Sequence, residues 1–205
     1  MSQSSYESDD GEWHPPMHDS ETGEMCTDVY GTLSETASTI VSPDGIPRRF
    51  LEMIGEKKMA EILLFVDVGC GKGRVMTSVA VASPGLNVLG VDILQEELSV
   101  AASAASEHGV ADRSKFVICD FRTFTEQIPK EIQPHQIVVY FYLIPKMVSN
   151  RELRQHVVDY LERGATIVTW SYHATPEWPY LKEEDTTFGI KIFQRWDEMT
   201  IIFFF

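Results

Sequence analysis

The stretch Ile62 to Arg74, ILLFVDVGCGKGR, is an apolar run that ends in an acid and passes at once into alternating glycines. A run of Ile, Leu, Phe and Val this short suits a strand covered on both faces, as in a parallel sheet. Gly69, Gly71 and Gly73 can then take dihedrals closed to other residues, which brings backbone amides close to a ligand. The pattern predicts a buried strand turning sharply into a nucleotide-binding loop.

What the loop lacks narrows the nucleotide. A dinucleotide fold wants G-x-G-x-x-G, and the third place, counted from Gly69, is held by Arg74, which weakens a pyrophosphate reading. A P-loop needs G-x-x-x-x-G-K followed by Ser or Thr, whereas Lys72 sits between glycines with no hydroxyl after it. What remains is D-x-G-x-G-x-G, Asp67 through Gly73, in which the strand-end carboxylate accepts from an ammonium group or orients the loop. This pattern resembles motif I of the S-adenosylmethionine (SAM) dependent methyltransferases. The competing reading is a glycine-rich turn with no ligand.

The chain has 205 residues, close to one domain's worth and long enough to bury a core without disulfides or metal. Its cysteines, Cys26, Cys70 and Cys119, are scattered, with no C-x-x-C pair and no secretory leader. They point to a reducing, cytoplasmic location and to no bound metal. The spread of His108, His135, His156 and His173 gives no pair at ligand spacing. No apolar run approaches the roughly 18 residues that a membrane span needs.

The net charge of −14 is unevenly placed, because residues 1–45 hold ten acids and no Lys or Arg. Residues 1–42 are expected to form an acidic, disordered tail, a solvating segment or a docking segment for a basic partner, and residues 43–205 the folded domain. The folded part is itself mildly acidic, which argues against a nucleic-acid partner, since phosphate binding needs a basic surface.

From Pro43 onward strand-like and helix-like segments alternate at the spacing of a parallel sheet. Strands are predicted at Leu63–Val68, Asn87–Asp92, Lys115–Cys119, Gln136–Tyr142 and Ala165–Trp170. Helices are predicted at Ile46–Lys58, Arg74–Ala82, Gln95–Glu107 and Glu152–Arg163, the last ending before Gly164 as a C-terminal cap would. Phe188–Gln194 and Met199–Phe205 flank Arg195 to Glu198 and read as a hairpin. Five parallel strands and a terminal antiparallel hairpin resemble the doubly wound, seven-stranded α/β sheet of the Rossmann-like methyltransferases, over roughly residues 43–205.

In such a sheet ligands lie beyond the carboxyl ends of the strands. Asp92 ends VLGVD, where a carboxylate can accept both ribose hydroxyls, and Ile93 follows it. Asp120 ends FVICD and, with Phe121, can accept from an adenine amino group while the ring packs on the base. The plainer alternatives are a helix cap for Asp120 and a core position for Phe121. Asp67, Gly69, Cys70, Gly71 and Gly73 complete the expected cofactor set, Cys70 as a small residue that suits a tight loop and carries no chemistry. Lys72 and Arg74 stand where the helix dipole disfavours cations, which hints at a nearby carboxylate.

The fourth strand, QIVVYFYLIP, places Tyr142 where many methyltransferases carry an Asp or Asn that grips the substrate, with Pro145 shortly after. An Asn-Pro-Pro-Tyr motif, usual for a base amine or a glutamine amide, is missing. The aromatic-Leu-Ile-Pro sequence, the Lys-Met segment, an Arg-rich helix, the strand Gly164 to Val168 and the PEWP of Pro176 to Pro179 are together similar to a smaller family. Its members are protein-lysine methyltransferases acting on the c subunit of ATP synthase and on the adenine nucleotide translocase.

That resemblance implies transfer of methyl groups from SAM to a lysine of a protein, with Tyr142, Pro145 and the Trp178-Pro179 segment near the acceptor. Tyr140, Tyr142, Trp170 and Trp178 are candidates for an aromatic wall, and each has a core role as its alternative. Where mitochondrial members of that family carry an apolar N-terminal segment, this chain opens on the acidic tail, which favours a basic protein acceptor through long-range attraction. A small-molecule methyltransferase and a non-catalytic SAM-binding regulatory module are the competing functions.

Overall fold

The computed structural model describes residues 45–142, 147, 149–170, 178–187 and 189–195. Their chain order is α1 (Gly45–Ile54), α2 (Glu56–Met59), β1 (Leu64–Val68), α3 (Arg74–Ala82), β2 (Asn87–Asp92), α4 (Gln95–Glu107), β3 (Ser114–Ile118), β4 (Ile137–Tyr142), α5 (Arg151–Glu162), β5 (Thr166–Trp170), β6 (Leu181–Asp185) and β7 (Ile190–Gln194). The strands form one seven-stranded sheet in the order β3-β2-β1-β4-β5-β7-β6. The first five are parallel, while β7 runs antiparallel to both β5 and β6. This is the α/β methyltransferase architecture that the sequence predicts. The order reverses between β1 and β4, so a crevice opens at the carboxyl ends of those two strands.

Alternation along the strands splits the core into two layers. Phe65, Val138, Tyr140, Val168 and Trp170 face α1 and α3, where Phe50 and Met76 meet them. Val66, Val139, Phe141 and Ile167 face the other side, under Leu153, Val157 and Leu161 of α5. Phe50, Phe65 and Tyr140 stack with ring centroids 5.4 to 6.3 Å apart. These rings fix α1 against the middle of the sheet, and Arg49 ties the same helix to the sheet edge by donating from Nε to Asp185 in β6 at 2.6 Å.

One expectation is corrected. The helix predicted over Ile46–Lys58 breaks at Gly55, whose φ of 85° leaves the helical region that the apolar stripe alone does not delimit. The antiparallel pair that the structure describes is β6 and β7, with its turn before Ile190, and Trp196 to Glu198 of the expected turn lie outside the described residues. Both edges of β7 are occupied, by β5 and β6, and the strand expected at Met199–Phe205 lies outside the described residues. The helix predicted over Glu152–Arg163 is α5, shifted by one residue at each end. Asn150 caps it by accepting from the Leu153 N–H at 2.8 Å, and Gly164, at φ 93°, ends it.

Candidate functional site

β1 delivers Asp67 to the sheet edge, and the chain then turns through Gly69, Gly71 and Gly73 at φ 79°, 50° and 73°. All three lie in the left-handed region, where a side chain is strained. The Gly69 and Cys70 amides donate to the Val91 carbonyl of β2 at 2.8 and 3.0 Å, and Gly73 donates to Cys70 at 2.8 Å. A Cβ at Gly69 would meet nothing within 4 Å, so this part of the loop faces open space. At Gly73 it would lie 2.8 Å from the Ala101 Cβ and 3.3 Å from its Cα, because α4 closes directly on the loop.

Gly73→Ala therefore adds a collision with α4 backbone to the strain that Gly69→Ala suffers alone. We expect Gly73→Ala to lose about 2–3 kcal/mol of unfolding free energy and Gly69→Ala about 1 kcal/mol, compared by urea titration. Equal losses would mean that α4 yields without cost.

Cys70 turns inward. A Cβ on Gly90 would come within 2.8 Å of its Sγ, so the glycine in β2 makes room for the thiol. Burial, then the charges of Asp67 and Asp92, push the thiol pKa far up, and Cys70 is a packing group.

Asp67 is only 2% exposed. Burial raises its pKa to about 7, and the charge of Asp92 adds to this, while a hydrogen bond from the Met76 N–H in the first turn of α3 opposes them. Of the two roles open to it from sequence, the one visible is orientation of the loop and helix. Asp92 is half-buried and holds the loop from the other side. Its Oδ2 accepts from the Gly71 N–H at 2.9 Å and its Oδ1 from the Leu94 N–H at 3.0 Å. Ile93, next in the chain, is 62% exposed and offers an apolar surface beside the loop.

Asp120 is already engaged. Arg122 donates from Nε to its Oδ1 and from Nη2 to its Oδ2, both at 2.8 Å, and the Arg122 backbone N–H adds a third bond at 2.9 Å. Phe121 is partly buried against the core layer beneath α5. Sequence reasoning missed Arg122, for which the Asp-x-Arg spacing was the available signal. Glu97 was also missed. It lies one helical turn before Ala101 on α4, its charge reaches Cys70, and among the described residues its Oε2 is buried with no hydrogen-bond partner.

On the acceptor side Val68 pairs with Phe141, so Tyr142 stands one residue further along, level with Gly69. Tyr142 is in register with Trp170 of β5, and the two rings lie 4.7 Å apart at 39°. Trp178 sits on the opposite face of the sheet, between Phe141 at 5.9 Å and Phe193 at 5.5 Å. The expected pairing of Tyr142 and Trp178 around one acceptor is thus not formed by their rings. Pro145 lies outside the described residues.

A parallel sheet with a reversal at β1 and β4, a glycine loop and carboxylates at the ends of β1 and β2 define the class of SAM-dependent methyltransferases. Residues 62–191 match the model of a methyltransferase domain family, and the chain belongs to that family. It is 31% identical over 87 residues to a release factor glutamine methyltransferase from Bradyrhizobium diazoefficiens, a match covering 42% of this chain and 29% of that protein. It is 31% identical over 101 residues to an rRNA N(6)-adenosine methyltransferase from Caenorhabditis elegans, covering 49% of this chain and 42% of that one. The chain thus spans less than half the length of these curated relatives. In fold it is similar to an RNA methyltransferase from Salinibacter ruber solved with S-adenosyl-L-homocysteine, with a TM-score of 0.58 at 22% identity, covering 78% of this chain and 97% of that one.

The cofactor of such a domain is SAM. The residues present fit it, since the open side of Gly69 admits a ligand to the backbone and the half-buried Asp92 beside the loop complements a cation. Among the described residues no helix is long and apolar enough to cross a membrane.

Proposed function

We propose that the chain is a methyltransferase that transfers the methyl group of SAM to a lysine side chain of a protein. The observation that carries this reading is the aromatic pair of Tyr142 and Trp170 at the carboxyl ends of β4 and β5, level with the glycine loop. An amide or a base amine is planar and neutral, and is gripped by hydrogen-bonding groups. A lysine ends in a flexible chain and a group that is cationic until its proton leaves, and aromatic faces attract such a group. Residues 141–145, Phe-Tyr-Leu-Ile-Pro, lack an Asn-Pro-Pro-Tyr motif. The likeness of the later half of the chain to protein-lysine methyltransferases supports the same choice.

When bound, SAM supplies a methyl group on a sulfonium centre, which needs only a neutral amine held in line with it. The chain's part is placement. The loop from Gly69 to Gly73, pinned to Val91 and Asp92, fixes the donor side. Tyr142, backed by the buried Trp170, lines the approach of the acceptor and keeps water from one side of it.

The test is incubation of the purified chain with radiolabelled SAM and a proteome lacking its counterpart, followed by mass spectrometry of the labelled material. Label on protein lysine is expected. Label confined to small molecules would overturn the acceptor, and SAM binding without any transfer would leave a regulatory module. Tyr142→Phe removes only the hydroxyl, and Tyr142→Ala removes the ring. Turnover should fall tenfold or more in the second while SAM affinity persists, because loss of an alignment contact costs about that much or more. Parental rates in both variants would return Tyr142 to a packing role.

A further inference from the structure

Leu153, Val157, Tyr160 and Leu161 of α5 are buried toward the sheet. A second stripe on the same helix, Arg151, Arg154, Gln155 and Val158 at i, i+3, i+4 and i+7, is turned outward. With Trp178 and Pro179 it lines an open groove of about 750 Å³. Both arginines are exposed, and among the described residues neither has an ion pair, whereas Arg48, Arg49, Arg122 and Arg163 each meet a carboxylate. Among the described residues these are two guanidinium groups one turn apart without an ion pair, in a folded domain that is itself mildly acidic. Since α5 follows β4, its first turn stands at the carboxyl edge of the sheet, where Tyr142 also lies, but on the opposite face from the Tyr142 ring.

We propose that this groove docks an acidic segment of the protein acceptor, with Arg151 and Arg154 holding carboxylates that flank the target lysine. The proposal rests on the reading of the chain as a protein-lysine methyltransferase. Guanidinium forks match carboxylates in geometry and charge, and the Val158 and Pro179 surface between them suits the backbone and aliphatic stems of a peptide. The groove is far larger than a single small anion needs. A nucleic acid is a poorer match. Trp178 is 7% exposed and its ring is packed against Phe141 and Phe193, so it presents no platform for a base. Long-range attraction by an acidic chain favours basic proteins as a class, and this groove adds a local acidic requirement next to the lysine.

The experiment uses the full chain and two short fluorescein-labelled peptides, each with one lysine, flanked in one by glutamates and in the other by glutamines. By anisotropy the glutamate peptide should bind about tenfold more tightly, and Arg151→Glu/Arg154→Glu should abolish the preference. Glutamates suit the first turn of a helix, so the fold should hold, and Arg151→Gln/Arg154→Gln repeats the test without charge reversal. SAM affinity by calorimetry should be the same in all variants. Equal binding of the two peptides, or a preference that survives both double variants, would overturn the proposal. So would tighter binding of a single-stranded RNA oligonucleotide that charge reversal removes. Mass spectrometry separates this from the reading beneath it. A glutamate peptide that docks but gains no methyl group on its lysine overturns the lysine reading alone, and equal methylation of both peptides overturns the docking alone.

Discussion

Replacing Asp67 with Asn is expected to remove a pH dependence of folding stability on the order of 4 kcal/mol between pH 4 and pH 8. Burial raises the Asp67 pKa from 3.8 to about 7. The folded chain therefore keeps this proton up to about neutrality, while the unfolded chain releases it near pH 4. Stability from a raised group is fully present below the unfolded value and is lost as pH climbs through the folded one. Parent stability should thus decline relative to the variant across that window. Asn keeps an acceptor for the Met76 N–H and carries no proton to lose, and every other carboxylate is common to both chains. Urea unfolding without ligand, repeated from pH 4 to pH 8, gives the two curves. Parallel curves would show that Asp67 is ionised in the fold at neutral pH and that some donor other than Met76 compensates its charge.

The strands that build the centre of the sheet were legible because they are buried on both faces, and their apolar runs therefore announce themselves. β1, β2, β4 and β5 lie within one residue of where the sequence places them. β6 reads LKEED, with no apolar period. Its position is set by pairing with β7 and by the contact from Arg49 to Asp185, both long-range, whereas the phenylalanines near the chain end drew the predicted hairpin the other way. The loop glycines and Asp92 could be read locally, since backbone conformation and strand ends leave marks in a short window. Which ring meets which could not. Tyr142 touches Trp170 only because β4 neighbours β5 in this sheet order, and Trp178 ends on the opposite face because of where the chain returns after β5. Arg122 and Glu97 are matters of side-chain placement, one closing on Asp120 and the other leaving an oxygen without a donor.

Asp92→Ala should weaken SAM binding by about a hundredfold while leaving a folded protein. Asp92 joins two parts of the site. Its Oδ2 holds the Gly71 amide and its Oδ1 holds the Leu94 amide, so one side chain fixes both the middle of the glycine loop and the turn into α4. Alanine leaves both N–H groups without that acceptor, and it also removes the carboxylate that the proposed ribose contact requires. Each charge-assisted hydrogen bond contributes roughly 1.5–3 kcal/mol, so the loss of the ribose contact alone is worth at least tenfold, and a loosened loop adds to it. Asp92→Asn retains one acceptor oxygen without the charge and should fall between parent and alanine. Calorimetry with SAM and with adenosine locates the effect, because adenosine keeps the ribose and lacks the amino-acid end. A similar loss for both ligands places Asp92 at the sugar, and a loss confined to SAM places it at the amino-acid end. Unchanged SAM affinity in the folded variant, or tighter binding of NAD than of SAM by the parent, would sink the assignment of this loop and acid to the cofactor.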